Sequence, residues 1–145
     1  MFYISHRGNL DGINPELENK PSYIFNALEK NFDVEVDIWF VKGKFYLGHD
    51  EPQDLVDKNF LKIKKLWFHS KNIEAFYQLI KLNVTCFWHQ NDDATLTSNG
   101  FIWTYPGKQL TNNSICVLPE LNNITTFNCA GICSDFILNY YNEQN

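Results

Sequence analysis

The chain has 145 residues, 44% of them hydrophobic and 16% aromatic, which is enough to fill the core of one domain. Its net charge of -5 and pI near 5.3 exclude a broad nucleic-acid footprint, which needs a basic stripe. No apolar run approaches the roughly 20 residues of a membrane span, and His6-Arg7 interrupts any signal-peptide core after Phe2. A cytoplasmic protein without nucleic-acid or transmembrane partners is therefore expected.

In chain order, the first apolar run, 2–5, reads as a strand that ends on His6-Arg7-Gly8. Residues 22–31 follow as a helix, with Ile24, Ala27 and Leu28 on one face and Pro21-Ser22 at its entry. The next strand, 34–40, carries Glu35 and Asp37. Lys42-Gly43-Lys44 then turns it into a hairpin with Phe45-Tyr46-Leu47, which leads into Gly48-His49-Asp50. Residues 53–64 place Leu55, Val56, Phe60 and Ile63 at helical spacing. Strand 66–69 ends on His69. Helix 72–82 follows, with Asn72 as N-cap and Ile73, Phe76, Tyr77 and Ile80 together.

Further strands are expected at 84–88, 101–105, 114–118 and 130–134. Runs such as Val84-Thr85-Cys86-Phe87-Trp88 do not alternate, which is the mark of strands covered on both faces of a parallel sheet. Between 89 and 120 the turn signals Asn91-Asp92-Asp93, Ser98-Asn99-Gly100 and Pro106-Gly107 leave no convincing helix. A short helix at 121–128 and a last turn or two at 136–143 complete the chain. Cys86, Cys116, Cys129 and Cys133 lack metal-ligand spacing and read as reduced, buried thiols. The expected fold is α/β: one reduced barrel of TIM type, about seven parallel strands, with helices missing in the second half.

His6, His69, His89, Glu120 and Asp135 all stand at or just past predicted strand ends, where barrel enzymes place their chemistry. Two histidines and two carboxylates in the first third suggest a metal-assisted acid–base site. His89 is read as a pocket residue and Trp103 as a substrate contact, since aromatics at a barrel mouth stack on sugars or lipid chains; the alternative for Trp103 and Tyr105 is the core. Glu120 is open between a pocket residue and an acid favoured by a helix dipole.

The run His6-Arg7-Gly8, then Pro15-Glu16-Leu17-Glu18-Asn19, then Val34-Glu35-Val36-Asp37-Ile38-Trp39, then Leu47-Gly48-His49-Asp50, resembles the glycerophosphodiester phosphodiesterase family of the phospholipase-C-like superfamily. The closing run Ala130-Gly131-Ile132-Cys133-Ser134-Asp135 resembles that family's last strand. The resemblance implies a barrel with one divalent metal ion, Mg or Ca. It makes His6 and His49 the acid–base pair, Glu35 and Asp37 metal ligands, Arg7 and Lys71 phosphate holders, and Glu18 and Asn19 supporting residues, with Asp50 beside His49. Where the family carries a third acid two residues before the lysine, this chain has His69-Ser70-Lys71. Imidazole as the third ligand makes Mn or Zn possible.

The function expected is hydrolysis of a small-molecule or lipid-linked phosphodiester. The alternative is a non-catalytic phosphate- or sugar-phosphate-binding module on the same shrunken barrel; a sugar-phosphate enzyme of surface-polysaccharide metabolism is a third reading, resting on the aromatic second half. Strands 101–105 and 114–118 are apolar on both faces with short polar connections, so an outer face buried in a homodimer is expected.

Overall fold

A computed structural model describes residues 1–144. Its ten strands among the described residues are β1 (Phe2–His6), β2 (Asp33–Val41), β3 (Lys44–Leu47), β4 (Asp54–Val56), β5 (Leu66–Ser70), β6 (Cys86–Trp88), β7 (Ala94–Leu96), β8 (Ile102–Thr104), β9 (Ser114–Val117) and β10 (Gly131–Ser134). The helices are α1 (Pro21–Glu29), α2 (Lys58–Leu61), α3 (Ile73–Leu82) and α4 (Ile137–Gln144), with a single 3-10 turn at Pro119–Asn122.

Seven strands pair in parallel, in the order β6-β5-β2-β1-β10-β9-β8. They are the seven runs read from the sequence. Three antiparallel strands are added: β3 on β2, β4 on β3, and β7 on β8. The protein is thus α/β with a mixed ten-stranded sheet.

Strand pairing does not close that sheet into a barrel, which corrects the closed form of the expected fold. β6 pairs with β5 alone, and β7 intervenes before β8. A three-residue antiparallel strand takes the place of a crossover helix, so β8 is not delivered to the edge of β6. The two ends of the array nevertheless meet. Ser98 N–H donates to the Cys86 carbonyl, and the Phe87 and Trp103 rings stack at 4.4 Å between centroids.

Two apolar layers follow from the pleat. Val34, Val36, Ile38, Leu66, Phe68 and Ile132 face the helices, where Ile24, Ala27 and Leu79 cover them. Ile4, Trp67, Phe87, Trp103, Ile115 and Val117 fill the other side. Both contain fully buried large side chains, each contributing about 1.5–3 kcal/mol on burial.

The helix expected over 53–64 is two elements. Leu55 and Val56 belong to β4, paired with Tyr46 and Phe45. α2 begins only after Asp57, whose carboxylate accepts from the amides of Asn59 and Phe60. The short helix expected at 121–128 lies earlier, as the 3-10 turn, and the last helix runs to Gln144.

The face on which a homodimer was expected is not an open apolar surface. Phe101, Trp103 and Tyr105 belong to the interior cluster, and on the reverse side Thr104, Ser114 and Cys116 are buried. There Ser114 Oγ accepts from the Thr111 amide and from Thr104 Oγ1. No helix among the described residues is long and apolar enough to cross a membrane.

Candidate metal centre

Glu35 and Asp37 stand two residues apart on β2 and so project to the same side, opposite Val34, Val36 and Ile38. β5 runs parallel to β2 with His69 opposite Asp37. That register puts His69 Nδ1 3.0 Å from Asp37 Oδ1 and 3.7 Å from Glu35 Oε1. One donor atom from each of Glu35, Asp37 and His69 lies within 4.8 Å of the other two. Glu35 Oε2 and Asp37 Oδ1 are buried with no aligned hydrogen-bond donor. Buried carboxylate oxygens without an aligned donor are costly; nitrogens of His69 and Lys71 stand 3.0 and 3.5 Å from Asp37 Oδ1, and His6 Nε2 stands 3.8 Å from Glu35 Oε2. Two carboxylates and an imidazole fit a divalent ion, with the oxygens suited to Mg or Ca and the imidazole to Mn or Zn.

The two other histidines flank this cluster. At the end of β1 the chain turns sharply, with Arg7 at φ 54° and Gly8 at φ 94°. A Cβ on Gly8 would stand 2.7 Å from Tyr23 Cδ1, so conformation and space both call for glycine. His6 Nδ1 lies 2.7 Å from Asp135 Oδ1, and His6 Nε2 faces Glu35 Oε2 at 3.8 Å. On the opposite flank the β2–β3 hairpin delivers His49, tied down where Trp39 Nε1–H donates to the Gly48 carbonyl at 2.7 Å. His49 Nδ1 is 3.1 Å from Asp37 Oδ2 and 2.8 Å from Arg7 Nη2.

Asn19 clamps Asp37 at two points: its Nδ2 donates to Asp37 Oδ2 and its Oδ1 accepts from the Asp37 amide, both at 2.9 Å. Arg7 Nη1 donates to Glu18 Oε2 at 3.2 Å, and its Nε lies 3.0 Å from Asp37 Oδ2. The guanidinium therefore lies against Glu18, Asp37 and His49. Lys71 Nζ is the less committed cation, 3.5 Å from Asp37 Oδ1 and 3.4 Å from His49 Nδ1.

The charges set one another. Burial opposes ionisation of Asp37, but hydrogen bonds from His49 and His69 and the charge of Arg7 hold its carboxyl well below the usual range. Burial also opposes charge on His69, yet Asp37 and Glu35 outweigh it and raise the imidazole to about 9. For His6, burial is overcome by the Asp135 hydrogen bond and the Glu35 charge, so its pKa is raised. Asp135 is lowered: its burial is outweighed by His6, Asn9 and Arg7. Burial and the nearby His69 lower His89.

The structure brings His6, Arg7, Glu18, Asn19, Glu35, Asp37, His49, His69 and Lys71 together. His89 stands beside them, its ring 6.0 Å from that of His69. Trp103 does not join them: it is 2% exposed and packed in the interior against Trp67 and Phe87, which corrects its assignment as a substrate contact. Asp50 points to solvent with its side chain 94% exposed, only 3.7 Å from His49 Nε2. Glu120 supports at one remove, accepting from the Asp135 amide and from Ser134 Oγ.

Sequence reasoning gave no role to Asn9 and left Asp135 as a strand end. Asn9 is fully buried, and its Nδ2 donates to both Glu18 Oε1 and Asp135 Oδ1 at 2.8 Å. A polar amide three residues past His6, directly before an apolar Leu10, was the available signal. Comparisons with protein-family models, with curated proteins and with solved structures give no match.

Proposed function

We propose that the chain is a divalent-metal-dependent phosphodiester hydrolase of the glycerophosphodiester phosphodiesterase type, on a shortened barrel-like α/β sheet. The observation that carries the reading is the convergence of Glu35, Asp37 and His69 on one point, with His6 on one flank and His49 on the other. Glu35, Asp37 and His69 would hold the ion, which when bound neutralises charge on a phosphoryl oxygen.

His6 is the general acid. Its Nδ1–H donates to Asp135, which fixes the ring so that Nε2 carries the mobile proton toward the site, and its raised pKa keeps that proton near neutrality. His49, half-exposed at the other rim, is the general base. It takes the proton of the attacking hydroxyl, of water or of a neighbouring substrate alcohol, as the new P–O bond forms. His6 gives its proton to the leaving oxygen as the old P–O bond breaks. Lys71 supplies the near cation for the phosphate.

The test is release of alcohol from glycerophosphodiesters and of nitrophenol from a chromogenic phosphodiester, with Mg, Ca, Mn or Zn added to chelator-treated protein. Turnover that needs metal and disappears in His6→Ala and His49→Ala is expected, each proton-transfer partner being worth about 10²–10⁴-fold. Metal-independent turnover, or full rates in either variant, refutes it. One observation favours a non-catalytic phosphate-binding module instead. Arg7, Lys71 and charged His69 already balance Glu18, Glu35 and Asp37 without an ion. Phosphate binding with no turnover under any metal selects that second reading.

A further inference from the structure

The parallel order β6-β5-β2-β1-β10-β9-β8 carries His89 at one end of the mouth and Tyr105 at the other, with the metal cluster and His6 between. No strand pairing joins β6 to β8. Side chains join them instead: the His89 and Tyr105 rings stack at 3.4 Å between centroids, 23° from parallel. The Tyr105 amide also donates to the Asp93 carbonyl at 3.1 Å, which anchors that end of β8.

Both stacked residues carry a buried polar atom. The Tyr105 hydroxyl is buried without a hydrogen-bond partner; His89 Nδ1, also buried, has Asp92 Oδ2 at 3.5 Å. Glu35 Oε2, in the adjoining cluster, also lacks an aligned donor. A buried hydroxyl with no acceptor destabilises the fold, and phenylalanine would stack equally well without that cost. An acceptor from outside the chain would remove that cost. Burial first, then the charges of Glu35 and Asp92, push the phenol far above its usual range, so it stays an O–H donor.

We propose that Tyr105 contacts the ligand of this centre, its hydroxyl donating to an anionic oxygen of a phosphate group held beside Glu35, Asp37 and His69, with His89 positioning the ring. This rests on the phosphodiesterase reading above. Lys71 meets the phosphate from the β5 side and Tyr105 meets it from the β8 side. The last strands of the array are thereby drawn into a site that the resemblance builds almost wholly from the first third of the chain.

Three measurements on Tyr105→Phe and the wild type decide it: calorimetric titration with Mn²⁺ alone, titration of Mn²⁺-loaded protein with inorganic phosphate, and thermal melting without ligand. Tyr105→Phe is expected to keep wild-type Mn²⁺ affinity and to melt at or above the wild-type temperature. It should bind phosphate about ten- to a hundred-fold more weakly, the worth of one hydrogen bond to a charged group. Unchanged phosphate affinity overturns the proposal, whatever happens to the melting temperature.

The same titration with sn-glycero-3-phosphocholine separates a diester from free phosphate. The loss is expected for whichever of the two binds, since the phosphoryl oxygen is common to both. If the wild type binds no Mn²⁺, the metal reading falls by itself and the phosphate titration is repeated on metal-free protein. There, absence of phosphate binding, or no difference in Tyr105→Phe, overturns the proposal. Should Tyr105→Phe fail to fold, His89→Ala, which frees the ring from its stack, must show the same selective loss of phosphate affinity or the proposal is wrong.

Discussion

Asp37 is buried, negative and surrounded by His49, His69, Arg7, Lys71 and Asn19, so its environment decides how the centre behaves. Asn19 holds both the carboxylate and the backbone amide of Asp37. Asn19→Ala should weaken Mn²⁺ binding by about 10–100-fold, as removal of an outer partner of a metal ligand does. It should also lower stability by about 1–3 kcal/mol, because the Asp37 amide is left buried and unpaired. Calorimetry and thermal melting check the two effects; unaltered metal affinity would mean that Asp37 is held without its clamp. Asp135 acts on His6 in the same way. Asp135→Asn keeps an oxygen acceptor but removes the charge that helps raise the imidazole. The limb of the pH–rate profile belonging to His6 should therefore move to lower pH. A profile that stays in place would remove Asp135 from the mechanism.

At the scale of the element, the β2–β3 hairpin decides whether His49 reaches the centre at all. Its exit depends on Gly48, at φ 144°, where a Cβ would collide with the Glu51 carbonyl oxygen. Gly48→Ala should cost on the order of 1–3 kcal/mol in strain. Turnover should fall by more than the lost stability explains, since His49 swings off Asp37. Melting curves and rates measured below the melting transition separate the two; loss of stability with full turnover would show that His49 has no catalytic part. The elements also show where sequence pattern misleads. Leu55, Val56, Phe60 and Ile63 have helical spacing by coincidence: the first two pair with β3, and Asp57 starts a new helix between the pairs. β7 left no apolar pattern because Ala94 and Leu96 are exposed, and it exists through its antiparallel bonds to β8.

For the molecule as a whole, the charge balance of the centre links stability to pH. The folded-state pKa of His69, about 9, lies above the ordinary 6.5. Its imidazolium therefore stabilises the fold fully below pH 6.5, and that contribution drains away as pH rises through 9. Chelator-treated protein should lose up to a few kcal/mol of stability across this window, read as a falling melting temperature. Bound metal should flatten the curve, because His69 must already be neutral to ligate. At the acid end the sign reverses. Asp37 and Asp135 are both depressed, so the stability they supply is full above the ordinary carboxylate value of 3.8 and is lost as pH falls from there through their lower folded-state values. A chelated protein whose melting temperature does not change between pH 6.5 and 9 would contradict the His69 ion pairs.

The seven parallel strands were legible in the sequence because each is a continuous apolar run, and burial on both faces leaves no other composition open to it. The candidate ligands were legible for a related reason. Glu35 and Asp37 interrupt such a run at period two, and His6 and His49 sit against glycines that the local turns require. What the sequence could not carry was any relation between distant strand ends. That Arg7 lies against Glu18, Asp37 and His49, that Trp103 lies inside, and that His89 stacks on Tyr105 across the gap between β6 and β8 all depend on the curl of the sheet. Local spacing fixes which side of its own strand a residue takes. Only packing of the whole sheet decides which side chains from opposite ends of the chain share one small, charged space.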